Sequence, residues 1–317
     1  MSCRSYAARR REAGPEHRVA QGLGPVRQSE LTTRTESRTM KQLWLLAMAL
    51  AVCANAPAQE PDPAASEIWK KVRASELGDA PILPGDGVIA LDVPIRAADA
   101  AVVPIAVRAR FAQSAERYIE RAWLLVDSNP SPIAAVFEFT PESGRAEIET
   151  RIRIEDYTHV RAVVRTNDGR LYMATRYVKA AGGCSAPAGK DALAAKANLG
   201  RMRLRVDDRL VANQPAWAQL MVSHPNDSGL AMDPLTRTYA PPHFVRRVEV
   251  TYAGKSVLQA DLDFSISENP NFRFYFSPAD GGLLEARVID NQDVEYSTRL
   301  RVEPSRIAEA PISRRPD

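Results

Sequence analysis

Val103-Pro104-Ile105-Ala106-Val107-Arg108-Ala109-Arg110-Phe111 decides the fold class. Val103, Ile105, Val107, Ala109 and Phe111 fall on alternate positions, the period of a strand with one face buried. Short apolar runs follow at 122–126, 134–139, 147–154, 160–166 and 171–178. Turn signals separate them: Asp127-Ser128-Asn129-Pro130, Pro141-Glu142-Ser143-Gly144 and Asn167-Asp168-Gly169. The last lies between Val163-Val164 and Leu171-Tyr172-Met173 and predicts a hairpin. Upstream, residues 67–77 predict a short helix with Ile68, Trp69, Val72 and Leu77 on its apolar side. The pattern breaks at 182–189, and Asp191 to Asn198 reads as a short helix closed by Gly200. Strand-like runs then resume at 202–206, 217–222, 245–252, 257–264, 272–276, 284–289 and 296–302. Two such sets, each about 100 residues, predict an all-β chain of two immunoglobulin-like β-sandwich domains. The domains are placed at 67–181 and 199–303. A flexible Gly/Ala-rich linker at 182–198 joins them, and 304–317 is a tail. The cysteine pair and core tryptophan of true immunoglobulins are absent, so only the architecture is claimed. Trp123, Trp217 and Phe274 lie in strand patterns and are expected in the core.

Residues 1–39 carry eight Arg and four Glu without apolar periodicity and read as an extension. Met40-Lys41, the apolar run Leu43 to Val52, and Ala56-Pro57-Ala58 form a signal-peptide pattern over 40–58. The run is too short to span a bilayer. The expected mature protein is therefore exported to the periplasm, with no membrane association after cleavage. A membrane anchor or a buried helix is the competing reading. The net charge of +3 belongs to the leader, since 33 basic and 35 acidic residues remain beyond Lys41. That balance argues against a nucleic-acid partner.

Export makes Cys184 the single cysteine of the mature chain, because Cys3 and Cys53 lie upstream. It sits in Lys179-Ala180-Ala181-Gly182-Gly183-Cys184-Ser185-Ala186. Gly182 and Gly183 are expected to keep the sulfur exposed on a pliant arm, and Lys179 and Lys190 to favour its thiolate. The competing reading is an inert surface cysteine on a linker. His159, His224 and His243 show no metal-ligand spacing. There is no G-x-S-x-G, P-loop or G-x-G-x-x-G, so neither a metal nor a cofactor is expected. Asp233, Asp261 and Asp263 read as solvated turn or edge residues.

Trp123-Leu124-Leu125-Val126-Asp127-Ser128-Asn129-Pro130-Ser131-Pro132, Thr150-Arg151-Ile152-Arg153-Ile154, Val160-Arg161-Ala162-Val163-Val164 and Gly182-Gly183-Cys184 resemble SoxY, the sulfur-carrying subunit of thiosulfate oxidation. Ser223-His224-Pro225, Ser228-Gly229, Pro242-His243-Phe244-Val245, Val248, Thr251-Tyr252, Gly254-Lys255, Ser267 and Asn269-Pro270 resemble its companion SoxZ. The fused order is similar to the SoxYZ-like carriers associated with quinoprotein dehydrogenases. The resemblance implies two immunoglobulin-like domains packed on each other in the periplasm. It also implies a non-enzymatic carrier whose Cys184 holds a sulfur-containing intermediate for Sox-type or quinoprotein dehydrogenase system enzymes. The SoxY arm ends the chain in Gly-Gly-Cys-Gly-Gly. Here Ser185-Ala186 follow and the chain continues, so the arm is tied at both ends and has less reach. Two other readings are an accessory binding protein of a periplasmic quinoprotein dehydrogenase, and an enzyme using Cys184 as nucleophile.

Overall fold

The computed structural model describes residues 60–186, 197–232 and 237–305. The leader and signal segments, Lys190, and most of the Asp191–Asn198 helix lie outside those residues, as does Asp233. Helix α1 (Glu67–Val72) starts at Ser66, whose side chain accepts from the Trp69 N–H, and continues as a π turn over Arg73–Leu77. The first half then forms β1 (Ile82–Pro84), β2 (Ile89–Asp92), β3 (Val103–Ala109), β4 (Ile119–Val126), β5 (Ile133–Phe139), β6 (Glu147–Ile152), β7 (Thr158–Thr166) and β8 (Leu171–Val178). The second half forms β9 (Met202–Val206), β10 (Ala216–Val222), β11 (Val245–Tyr252), β12 (Lys255–Leu262), β13 (Asn271–Phe276), β14 (Gly282–Asp290) and β15 (Glu295–Val302). Among the described residues no helix is long and apolar enough to cross a membrane.

Both halves contribute to both sheets. The nine-stranded sheet runs β1-β8-β7-β4-β5-β12-β11-β14-β15, and the six-stranded sheet runs β2-β3-β6-β13-β10-β9. The seam is β5 against β12, with Phe139 opposite Leu258 and Phe137 opposite Ala260, and β6 against β13, with Glu149 opposite Arg273. Phe137 and Phe272 meet edge to face across it, ring centroids 6.5 Å apart. One hydrophobic cluster extends from Val103 and Ile148 through the seam to Phe274 and Val288. Two sandwiches are present as the alternation predicts. In the described residues they are joined by sheet pairing and a shared core, so each closes an edge the other would leave open.

A second cluster lies on the outer face of the larger sheet, where Trp69 of α1 packs with Trp123, Leu125, Val163 and Leu171. This covering explains the unbroken apolar run Ala122–Val126, because β4 is buried on both faces. Ile68 is 40% exposed, against expectation. A helix this short turns Trp69 to the sheet, and the neighbouring position points about 100° away. Trp217 also departs from expectation. Ala216, Ala218, Leu220 and Val222 take the core side of β10. The alternation therefore puts Trp217 on the outer face, where the Arg273 guanidinium lies over its ring at 4.8 Å.

Candidate functional site

The site is assembled on residues 153–155, just past the end of β6. Asn129, in the turn between β4 and β5, donates from Nδ2 to the Arg153 carbonyl and to Ser265 Oγ, both at 2.9 Å. Its Oδ1 accepts the Glu155 N–H, also at 2.9 Å. Arg153 N–H donates to the Ser265 carbonyl of the second half at 2.7 Å. These bonds stop the strand and present the Ile154 and Glu155 carbonyls, with the Glu155 carboxylate, to the arm.

The arm docks there. Gly182 N–H donates to the Glu155 carbonyl at 2.7 Å, and Gly183 N–H to the Ile154 carbonyl at 2.9 Å. Glu155 Oε2 accepts the N–H groups of Cys184 (2.8 Å) and Ser185 (3.1 Å), while Oε1 accepts Ser185 Oγ–H at 2.9 Å. From the second half, Ser228 Oγ–H donates to the Cys184 carbonyl. Arg153 donates from Nη1 to the Gly183 carbonyl at 3.4 Å and from Nη2 to the Asn226 carbonyl at 2.9 Å.

Cys184 is a free thiol with 0% exposure. The expectation of a sulfur kept exposed by two glycines does not hold. Absence of a Cβ permits close approach as readily as it permits mobility. A Cβ on Gly183 would meet the Ala100 carbonyl oxygen at 2.1 Å and that of Ile154 at 2.7 Å, whereas one on Gly182, at φ +81°, would meet nothing within 4 Å. Gly183 is the residue that lets the arm lie against the protein. Gly183→Ala is therefore expected to expel the arm and expose the thiol to alkylating reagents. Gly182→Ala leaves it docked at a cost of about 1 kcal/mol of backbone strain. Equal reactivity of the two folded variants would contradict this assignment.

Burial pushes the Cys184 thiol up to about 12; the Glu155 carboxylate adds to this, Arg153 opposes it, and Asp263 contributes further in the same direction as Glu155. Lys179 is not among the charges acting on the sulfur; it is half-buried, and its N–H bonds the Ile95 carbonyl at 2.8 Å. Among the described residues the cation acting on the sulfur is Arg153, 4% exposed and bonded to carbonyls. Asp263 is half-buried with its pKa raised, first by burial; Asp261 is an exposed partner of Arg247 at 2.9 Å.

Of the three histidines among the described residues, the fold joins two. His224, His243 and Asp290 place ligand-type atoms within 4.8 Å of one another. His224 Nδ1 accepts the Asn226 N–H at 3.1 Å, which puts the ring proton on Nε2, facing Asp290 Oδ2 at 3.7 Å. A protonated Nε2 offers a cation no lone pair. His243 Nε2 lies 3.0 Å from the same carboxylate oxygen. Burial lowers His224 to about 4, keeping it neutral. The cluster ties the loop carrying Asn226 and Ser228 to the end of β14. His159 stands apart, its ring tilted against Tyr177 with centroids 5.0 Å apart. Sequence reasoning missed Glu155, Arg153 and Ser228. The available signal was an arginine between two isoleucines at a strand end, and a serine in the Ser228-Gly229 motif.

A family model described as sulfur oxidation protein SoxY matches residues 73–184, and one described as sulphur oxidation protein SoxZ matches residues 204–301. Cys184 is the last residue of the first match. Among solved structures, the sulfur carrier protein SoxY from Chlorobium limicola f thiosulfatophilum is 26% identical, covering 35% of this chain and 90% of that one, with a TM-score of 0.31. A superoxide reductase (neelaredoxin) from Ignicoccus hospitalis is 17% identical, covering 37% of this chain and 89% of that one, with a TM-score of 0.26. No curated relative matches.

Proposed function

This chain joins a SoxY domain to a SoxZ domain in one polypeptide, a fused SoxYZ-like sulfur carrier, and from that premise we propose that Cys184 is the covalent carrier atom and that the docked arm is its closed state. The observation that carries this is the position of Cys184. It ends the SoxY-matching span and is held at the seam by Glu155 of one half and Ser228 of the other. Loading requires the arm to leave Glu155, because the docked thiol is buried and protonated.

The undocked thiolate then attacks a sulfur–sulfur bond of a donor. A Cys184 Sγ–S bond forms, the donor's bond breaks, and the departing thiolate takes up the proton Cys184 released, so no outside oxidant is consumed. Partner enzymes, of Sox type or from a quinoprotein dehydrogenase system, transform and release the cargo. The chain itself catalyses no turnover. The periplasm is the compartment that the Met40-Lys41 and Leu43–Val52 pattern supports. Intact mass of the protein isolated without reductant is expected to show sulfur-containing adducts that are absent from Cys184→Ser.

A second reading, an accessory protein for a quinoprotein dehydrogenase, is favoured by the burial of Cys184 itself. A uniformly unmodified thiol, with Cys184→Ser supporting dehydrogenase activity as well as wild type, would establish that reading and remove the first.

A further inference from the structure

The outer face of the six-stranded sheet carries a groove of about 760 Å³ that crosses the seam. Arg151 of β6 comes from the first half and Arg273 of β13 from the second, with Arg108 on β3 and Arg176 on β8 at its sides. The two carboxylates of the groove are both committed. Arg108 binds Asp92 at 3.0 Å and Glu149 at 2.8 Å. The other three guanidiniums have no carboxylate within ion-pair distance among the described residues. Arg151 donates from Nη2 to the Asn269 carbonyl at 2.9 Å, Arg176 from Nη1 to the Thr175 carbonyl at 3.2 Å, and Arg273 lies over Trp217. The Nε atoms of Arg151 and Arg273 are buried without any hydrogen-bond partner. One wall is apolar, formed by Leu91, Val93, Pro94 and Ile95.

We propose that this groove binds a small organic anion, a carboxylate or sulfonate carried on an apolar body. Three uncompensated guanidiniums lining one groove repel one another, and an anion between them relieves that repulsion. The planar guanidinium fork matches carboxylate and sulfonate oxygens with paired hydrogen bonds. The apolar wall removes the body of the ligand from water. A ligand gripped by Arg151 and Arg273 bridges the two halves. The proposal does not depend on the chemistry of Cys184.

Trp217 lies beneath Arg273 and reports occupancy. The full chain is titrated with sodium hexanesulfonate and sodium hexanoate at about 50 mM salt, where charge attraction is only partly screened, by tryptophan fluorescence and by calorimetry. Hexanol and sodium sulfate serve as comparisons. Saturable binding of both organic anions is expected, with no binding of hexanol and weaker binding of sulfate. Arg151→Gln and Arg273→Gln are each expected to weaken binding about tenfold, the loss of one charged hydrogen bond. Arg176→Gln, at an exposed position, is expected to weaken it severalfold in a protein whose melting is unchanged. Sulfate binding as tight as hexanesulfonate would overturn the organic assignment. Wild-type affinity in Arg176→Gln together with Arg151→Gln would overturn the site.

Discussion

Glu155→Ala is expected to raise the rate at which Cys184 reacts with a disulfide reagent such as DTNB at pH 7 by about a hundredfold, the gain from exposing a thiol and returning its pKa toward the ordinary range. In the wild type the sulfur is inaccessible and its pKa stands at about 12. Compared with an ordinary thiol near 8.5, that shift alone removes about three orders of magnitude of thiolate at neutral pH. Burial is the largest cause, and Glu155 both holds the arm in that buried position and adds to the shift. Its carboxylate accepts three hydrogen bonds from Cys184 and Ser185, and its charge opposes ionisation of the sulfur. Alanine removes both effects. Glu155→Gln removes the charge and keeps an acceptor oxygen for the arm, so a smaller increase is expected. The sign with pH is fixed by the raised pKa. The folded state holds the proton more tightly than the unfolded chain. The stability this contributes is complete below the unfolded pKa and is lost as pH rises toward about 12. Unfolding by urea at a series of alkaline pH values, compared with Cys184→Ala, isolates the contribution, which the variant lacks. Reaction of Glu155→Ala as slow as wild type would show that something other than this carboxylate keeps the arm down.

The strands were legible because each has a one-sided or two-sided apolar pattern that survives in isolation. Val103, Ile105 and Val107 are all buried on β3, and Phe272, Phe274 and Phe276 on β13. The β7–β8 hairpin was legible too, since Asp168-Gly169 marks a tight turn between two apolar runs, and Gly169 takes φ +81° there. The seam was not legible. Pairing of β5 with β12 joins residues more than a hundred positions apart, and nothing local in either strand marks its edge as occupied. The docking of the arm was hidden for a related reason. Gly183 reads the same whether the space beside it is solvent or the Ala100 carbonyl. Arg153 escaped because alternation puts a residue between Ile152 and Ile154 on the outer face. The strand ends at Ile152, all three side chains are buried, and the guanidinium turns to meet carbonyls from both halves.

The largest loss of stability is expected from Arg161→Met. Arg161 and Asp127 form an ion pair at 2.6 Å with side chains 1% and 7% exposed. The guanidinium also donates to the Pro63 carbonyl at 2.7 Å and lies over the Trp69 ring at 4.6 Å. One residue thereby holds the β4–β5 turn and the segment leading into α1 against β7. Removing the arginine leaves a buried carboxylate without its partner, which costs about 3–5 kcal/mol. For a chain of this size that corresponds to a fall of roughly 10 °C in melting temperature. Replacing both members, Arg161→Met with Asp127→Leu, is expected to recover most of the loss, because the cost of the single change is chiefly the stranded charge. Trp69 fluorescence is expected to shift to the red in the single variant as α1 loses its anchor. The effect reaches the thiol as well. Asp127 sits two residues before Asn129, whose side chain fixes the backbone at Arg153 and Glu155 where the arm docks. Loosening that turn is expected to raise Cys184 reactivity in the folded variant at 20 °C below its melting point, on the order of tenfold if one docking hydrogen bond is lost. A melting temperature within about 2 °C of wild type would mean a loss below 1 kcal/mol, too small for a stranded buried charge, and would show that water reaches Asp127 once the arginine is gone.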